Sequence, residues 1–515
     1  MEAIGKRRDR LVRRNVLRAI TVSLLAGALT GCGSTVQVED RVSLGPAGLG
    51  ETAGLDETAG LNEPQSRSNT GSSLLPLPTG ADPQGRHGRA GGAGSSGSGG
   101  GSTNNATGSA PAQTRPGAVM PGRGVTASEI RIGVYVAKNG DEAFGAFGIA
   151  ASPGDNKRQT EVVLDHLNRQ GGLLGRKFVP VFQSFDLTAS DREGADQAAC
   201  ETWKVDKPVF AVVSMMQESD VLSQCLAKAG IPYVSNNHAL DATDLRAFPG
   251  LLFQPSDLTT ERLIAGYLDS LMAQGFLTAE SKIGWLVVDN ARGNRSLNSI
   301  IAPAMKKRGL QLTAVGKLAT GPSGPNQSGF VLQFQQAGVD RVLTLQASPI
   351  FFMQQAESQR YRPLYGLHSG YAPGFLQSAA PAAQLQGSKA FAWLPVADTD
   401  AANDPGPPTE RGEQCLDLIK QSGTDGSVRT ALLTGLWYCD SLFFLRDALA
   451  RAPDLRQQSL AAGVAAMRDS YESGVTFQTR FPNGRLDGVA AFRALSYVQG
   501  CACFRYSGAV RQLRY

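Results

Sequence analysis

The chain has 515 residues, 18% of them charged and 42% hydrophobic, with a formal net charge of +5. Residues 1–31 hold Lys6, Arg7, Arg8, Arg10, Arg13, Arg14 and Arg18 against Glu2 and Asp9, seven minus two, which accounts for all of that +5. The remainder is formally neutral, which removes the electrostatic case for a nucleic-acid partner, and no second apolar run reaches membrane-spanning length.

In chain order, the first predicted element is an export signal over 1–31. A basic stretch precedes a short apolar run, Ala19 to Leu29, which ends in Leu29-Thr30-Gly31-Cys32. The run is too short to span roughly 30 Å of hydrocarbon. Cysteine directly after the small residues is similar to the lipobox of bacterial lipoproteins. That resemblance implies cleavage before Cys32, a diacylglyceryl thioether on its sulfur, and attachment to the extracytoplasmic face of the cell membrane. Arg13-Arg14-Asn15-Val16-Leu17-Arg18 looks like a twin-arginine signal. A basic segment also produces paired arginines by chance, so the general secretory and twin-arginine routes both stay open.

Residues 32–126 read as the lipidated cysteine followed by a disordered linker. The stretch from Gly91 to Ser102 is almost wholly Gly and Ser, and large apolar residues are too sparse to offset the entropy of ordering. Glu51 to Asp56 is nearly duplicated as Glu57 to Asn62, in the manner of a linker that has slipped. About 90 such residues have a root-mean-square reach of roughly 50 Å.

Beyond Glu129 the composition changes. Short β-branched runs predict strands at Ile130–Val136, Phe178–Phe182, Val209–Val213, Ile231–Val234, Ile283–Val288, Leu310–Val315, Arg341–Leu345 and Ala390–Val396. Helical spacing lies between them: Thr160 to Leu167, a segment opening at Ser256-Asp257, and Leu297 to Arg308. Lys306-Lys307-Arg308-Gly309 is a helix stop, with cations in the last turn and glycine after it. This alternation predicts an α/β protein with doubly wound parallel sheets. About 390 residues exceed one such sheet, so two lobes are expected.

Open α/β sheets bind ligands at the carboxyl ends of their strands, and those ends are polar here. They read Lys138-Asn139-Gly140-Asp141, Gln217-Glu218-Ser219-Asp220, Ser235-Asn236-Asn237-His238, Asp289-Asn290-Ala291-Arg292, Gln346-Ala347-Ser348 and His368-Ser369-Gly370-Tyr371. Catalytic patterns are missing. The four histidines are His87, His166, His238 and His368, without His-Glu-x-x-His, Cys-x-x-Cys or Gly-x-Ser-x-Gly. His166 falls among helical apolar positions and reads as structural. No enzyme activity, metal or cofactor is expected.

Together these segments resemble the type I periplasmic binding proteins, the branch that includes branched-chain amino-acid-binding proteins of ABC importers. The resemblance rests on Ile130-Arg131-Ile132-Gly133, on Leu167 to Lys177 with its Gly-Gly-Leu-Leu-Gly-Arg-Lys turn, and on Ala229-Gly230-Ile231-Pro232-Tyr233-Val234-Ser235. It continues through Phe330 to Phe334, Ala337-Gly338-Val339-Asp340 and Phe481-Pro482-Asn483-Gly484-Arg485. It implies two lobes joined by three crossovers: 127–254 with 398–474, and 255–397 with 475–515. It implies that Ser219 and the Ser235–His238 loop grip a ligand carboxylate, and that Phe144 or Phe147 covers the ligand. The acidic position that holds an ammonium group in such proteins falls near Ser369, where no carboxylate stands. Glu218 can replace it from the other lobe.

The expected groove therefore sets Asn139, Phe144, Phe147, Gln217, Glu218, Ser219, Asn236, Asn237 and His238 against Asn290, Arg292, Gln346, Ser348, Ser369 and Tyr371. Arg292 reads either as a ligand-carboxylate partner or as a solvated surface residue. Cys200, Cys225, Cys415, Cys439, Cys501 and Cys503 permit 15 pairings, or remain as buried thiols. In a sheet of order 2-1-3-4 the second and third helices share a face, which favours Cys200–Cys225. Consecutive helices favour Cys415–Cys439, and Cys501–Cys503 is left over. The expected function is a monomeric, lipid-anchored solute-binding protein. It would deliver a small polar or carboxylated solute, amino-acid-like, an amide or an organic acid, to an ABC importer permease. The alternative is a ligand-sensing lipoprotein that uses the same clamshell without transport.

Overall fold

The computed structural model describes residues 122–146, 148–215, 220–236, 240–319, 327–345 and 348–514. The export signal, Cys32 and the linker up to residue 121 lie outside them. Two sheets organise the described chain. The first has the order β2-β1-β3-β4-β5, all parallel, from β1 (Glu129–Lys138), β2 (Lys177–Asp186), β3 (Ala211–Ser214), β4 (Tyr233–Ser235) and β5 (Leu252–Phe253). Ile130, Ile132, Val134 and Tyr135 of β1 are all buried, because helices cover both faces of a parallel sheet.

The second sheet contains β6 (Lys282–Val288), β7 (Gln311–Leu318), β8 (Arg341–Leu345), β9 (Leu364–His368), β10 (Lys389–Ala392), β11 (Ala491–Val498) and β12 (Cys503–Gln512), in the order β12-β11-β10-β9-β8-β6-β7. Its first five strands in sequence are parallel. β11 pairs antiparallel with β10, and β12 antiparallel with β11. The fold is thus two parallel-sheet α/β lobes, the second carrying an antiparallel hairpin on one edge.

Each of the eight strand predictions overlaps an observed strand. The differences have local causes. The run Ala390–Val396 overshoots, because β10 stops at Ala392 and Pro395 opens the short helix Pro395–Asp398. The helix sought from Ser256 starts at Thr260, because residues before it belong to a crossover. The helix sought at Leu297 starts earlier, at Ala291, where the Asn290 side chain accepts the amide of Gly293. The polar end at His368 follows a further strand, β9, and β5, β11 and β12 are additional.

The order β2-β1-β3-β4 puts the helices Arg192–Glu201 and Val221–Lys228 side by side, and Cys200 is bonded to Cys225 between them with Cα atoms 6.2 Å apart. Cys415 is bonded to Cys439 across the helices Glu410–Gln421 and Arg429–Leu449. Cys501 is bonded to Cys503 at the β11–β12 turn. The helix Arg429–Leu449 is buried along nearly its whole length, packing on Asn156–Arg169 and on β3 and β4. Among the described residues, no helix is long and apolar enough to cross a membrane.

The chain passes between the sheets three times, and the three passages meet. Gln254 pairs in parallel with Asp487. The buried Asp487 carboxylate accepts the amide and hydroxyl of Thr259, the residue that precedes the helix Thr260–Ala273. It also forms a 2.7 Å ion pair with the buried Arg262 and a 3.2 Å pair with Arg485. Arg262 donates again to the Val489 carbonyl. The middle passage joins through Trp393, whose indole N–H donates to the Ser256 carbonyl. Asn236 sits beneath, accepting from the Ser256 hydroxyl and donating to Ser441. Asp440 accepts from Tyr471 and from the Gly474 amide.

Removing one partner of a buried ion pair leaves the other charge uncompensated and costs about 3–5 kcal/mol. Asp487→Ala should therefore destabilise the folded chain by about that amount, read as a shift of the urea midpoint. A loss under about 1 kcal/mol would show that the junction does not depend on this carboxylate.

Candidate functional site

The carboxyl ends of the strands of the two sheets face a common region, and side chains cross it at two flanks. One crossing is ionic. Asp241 precedes the helix Ala242–Ala247 of the first lobe and accepts the amides of Thr243 and Asp244, while Asp244 reaches back to the Asp241 amide. This is a capping box, and it fixes two carboxylates on one turn. Arg292 and Arg295 project from the helix Ala291–Ser296 of the second lobe, three residues apart and so on one face. Arg292 pairs with Asp220 at 2.9 Å and with Asp244 at 3.3 Å. Arg295 pairs with Asp241 at 2.5 Å and with Asp244 at 3.3 Å.

Three carboxylates therefore meet two guanidiniums with little access to water. Burial pushes the Asp220 carboxyl above its ordinary range, and Arg292 opposes that push. Burial also works against the Asp241 anion, but Arg295 and the two helix amides outweigh it and hold the group low.

The second crossing is apolar. Phe144, on the helix Gly140–Gly145 that follows β1, packs edge-on against Phe375 of the second lobe, with ring centroids 6.4 Å apart. Ile149 is buried in the same second-lobe cluster, and Tyr371 packs on its edge. The chain after β1 thus reaches over to the second lobe at the other flank.

The expected groove residues separate into distinct roles. Phe144 and Tyr371 line the apolar flank. Arg292 is a correction, since it is 3% exposed and held by Asp220 and Asp244, not solvated. Asn236 is 1% exposed and spent on Ser256 and Ser441, so it braces the junction instead of facing the groove. Ser369 is fully buried, its hydroxyl accepting the amides of Trp393 and Leu394. Asn139, in the left-handed region at φ 57°, donates to Asp186 at the end of the neighbouring strand. Asn290 caps its helix. Ser348 is exposed at the start of the helix Ile350–Ser358. Phe147, Gln217, Glu218, Ser219, Asn237, His238 and Gln346 lie outside the described residues.

His368 stacks on Trp393 and accepts the Gly370 amide through Nδ1. Burial drives it down to about 3, so it stays neutral and is no acid–base group at ordinary pH. His166 is half-buried and lies 3.1 Å from Gln414, as a structural residue would. Among the described residues no group of three His, Cys, Asp or Glu could hold a metal. A groove of about 470 Å³ lies elsewhere, on the outer side of the helices joined by Cys200–Cys225, and is lined by Gln197, Glu201, Lys204 and Lys228 among others.

Sequence reasoning placed Asp220 at a polar strand end without a partner and missed Asp241, Asp244 and Arg295. Two signals were available: Asp-x-x-Asp ahead of a helix, and the Arg292–Arg295 spacing. It also missed Asp398, buried at the middle passage. Asp398 accepts the Leu394 amide and the Tyr506 hydroxyl and lies against Ser369. Burial pushes its carboxyl up to about 7, with Asp404 adding to the rise and the hydrogen bonds from Tyr506, Ser369 and Leu394 opposing it.

The family described as periplasmic binding protein matches residues 129–490. A branched-chain amino acid ABC transporter protein of Thermus thermophilus with bound valine shares 15% identity, covering 75% of this chain and 97% of its own, at a TM-score of 0.54. A fatty acid ABC transporter substrate-binding protein of Thermomonospora curvata shares 16% identity, covering 77% and 94%, at 0.52. An ABC transporter substrate-binding protein of Desulfitobacterium hafniense in complex with Leu shares 16%, covering 74% and 100%, at 0.50. No curated relative matches the sequence.

The Asp398 carboxyl gives a signed pH dependence. The folded chain keeps its proton up to about pH 7, whereas an unfolded chain releases it near 3.8. The folded state thus binds more protons between those values, and its stability is full below the lower one and falls as pH rises through the window. The integrated loss is about 4 kcal/mol. Asp398→Asn should abolish this slope, measured by urea unfolding at a series of pH values. An unchanged slope would place the titration elsewhere.

Proposed function

The chain belongs to the periplasmic binding protein family, and we propose that within it this protein is a lipid-anchored receptor that captures a small carboxylated or polar solute and delivers it to the permease of an ABC importer. The observation that supports this most is the pair of crossings between lobes. An ionic clasp and the Phe144–Phe375 contact join the lobes at the strand ends, and a groove between two such crossings would take a small ligand, not a macromolecule.

The solute class follows from what the groove leaves open. Arg292 has its charge balanced by Asp220 and Asp244, so it positions the clasp and does not receive a ligand carboxylate. That role falls to Ser219, Asn237 and His238, which lie outside the described residues. The apolar body of the solute would rest against Phe144 and Tyr371. Leucine, valine and fatty acid, named for the structural neighbours, all join a carboxylate to an apolar body. Ser369 brings no carboxylate for an ammonium group, which favours an organic acid or amide over an α-amino acid.

A thermal-shift screen of aliphatic acids, amides, amino acids and polyamines tests the reading. A true ligand at 100 times its Kd should add about 2.7 kcal/mol of stability. Stabilisation by polyamines alone, or by none of the acids and amides, would overturn the assignment. For the anchor, Cys32→Ala should release the protein from the membrane or leave its signal uncut, seen by fractionation and intact mass. Unchanged retention with normal processing would exclude lipid on Cys32.

A further inference from the structure

We propose that the Cys501–Cys503 pair is a thiol-exchange site, at which a low-molecular-weight thiol adds reversibly to Cys501. The site is separate from the groove and goes beyond the solute-binding reading. The register of the second sheet shows the separation. Ala392, at the groove end of β10, pairs with Arg493, while Lys389, at the far end, pairs with Ser496. β11 runs on to Val498 beyond Lys389, so the turn Gln499–Ala502 sits at the end of the second lobe away from the groove.

A staple is not what this place needs. Val498 already pairs with Cys503, and Tyr497 with Phe504, their rings 5.3 Å apart. The entropy that a disulfide removes from the unfolded chain grows with the loop it closes. This bridge spans a sequence separation of 2, against 25 for Cys200–Cys225 and 24 for Cys415–Cys439. What distinguishes it is access. Cys501 is exposed next to Ala502, which is held in the left-handed region at φ 49°, whereas Cys503 is buried. Cys200, Cys415 and Cys439 are fully buried and Cys225 half-buried, so Cys501 is the exposed sulfur among the six.

The asymmetry sets the chemistry. A thiolate from solvent attacks Cys501 Sγ and forms a mixed disulfide there. The Cys501–Cys503 bond breaks, and its electron pair leaves on Cys503 Sγ, which takes up a proton. No net oxidation occurs in that step. Cys503, two residues away, can then re-form the bridge by expelling the small thiol, or a second thiol can release Cys501 reduced and leave as the oxidised dimer. Buried Cys503 is the resolving sulfur and exposed Cys501 the one attacked.

The test uses the folded full-length chain with mixtures of reduced and oxidised glutathione as the probe, quenched by acid and mapped by peptide mass. Glutathione should appear on Cys501, with Cys503 free, at least about tenfold faster than either helix-to-helix bridge opens. Cys503→Ser should hold glutathione on Cys501 longer than the parent does, because the resolving sulfur is gone and only a second thiol can expel it. The double variant Cys501→Ser/Cys503→Ser should melt within about 2 °C of the parent. Glutathione on Cys503, glutathione on neither, or three bridges opening together would overturn the proposal. So would a loss above about 5 °C in the double variant, which would make the bridge a staple after all.

Discussion

One buried carboxylate governs how the two sheets are joined. Asp487 draws together an arginine and a helix-preceding threonine from the first passage, an arginine two residues before it, and a backbone pairing with Gln254. Such a group is costly to bury and tolerable only beside cations and donors, which here gather mainly on Oδ2 while Arg485 stands by Oδ1. That demand makes the junction specific. A passage displaced by one residue would leave Arg262 or Asp487 facing apolar neighbours without its partner. The Asn236–Ser256–Ser441 and Asp440–Tyr471–Gly474 bonds beneath extend the same logic, so the hinge is polar inside and apolar around.

The two groove crossings differ in what they can do. The Phe144–Phe375 contact is weakly directional and grows with area removed from water. The Asp–Arg clasp is directional and stakes desolvated charge on one lobe orientation. Since a buried ion-pair network is weak evidence for stability, its contribution here is better described as choosing the closed geometry than as strengthening it. An excess of carboxylate over guanidinium, with burial pushing Asp220 upward, makes that choice sensitive to salt and pH.

The sequence was legible where a residue's surroundings are local. Buried parallel strands announce themselves as β-branched runs, and polar residues follow them at the strand ends. The topology then placed Cys200 beside Cys225. What stayed hidden was set by distant partners. Asn236 and Ser369 look like groove residues from their position after a strand, yet each is claimed by atoms of a passage far along the chain: Ser441 for one, Trp393 and Leu394 for the other. Arg292 looked solvated because its counter-ions sit on another lobe. β11 and the edge strand β12 carry Arg493, Arg505 and Arg511, which dilutes the apolar alternation by which a strand is recognised.

The antiparallel hairpin on the second sheet also bears on how the chain is made. β10 finds its neighbour β11 only after a long excursion through the helices of the other lobe, Lys389 and Ser496 being 107 residues apart. Arg262 waits still longer for Asp487, across 225 residues. During synthesis the second sheet therefore stands with an unpaired edge at Ala390, Phe391 and Ala392, and with an uncompensated arginine at its root. Contacts of such sequence separation form slowly, and an open apolar edge is an invitation to pair with another chain. The nascent protein has a vulnerable interval that ends only when β11 arrives, a demand on chaperoning that the finished fold conceals.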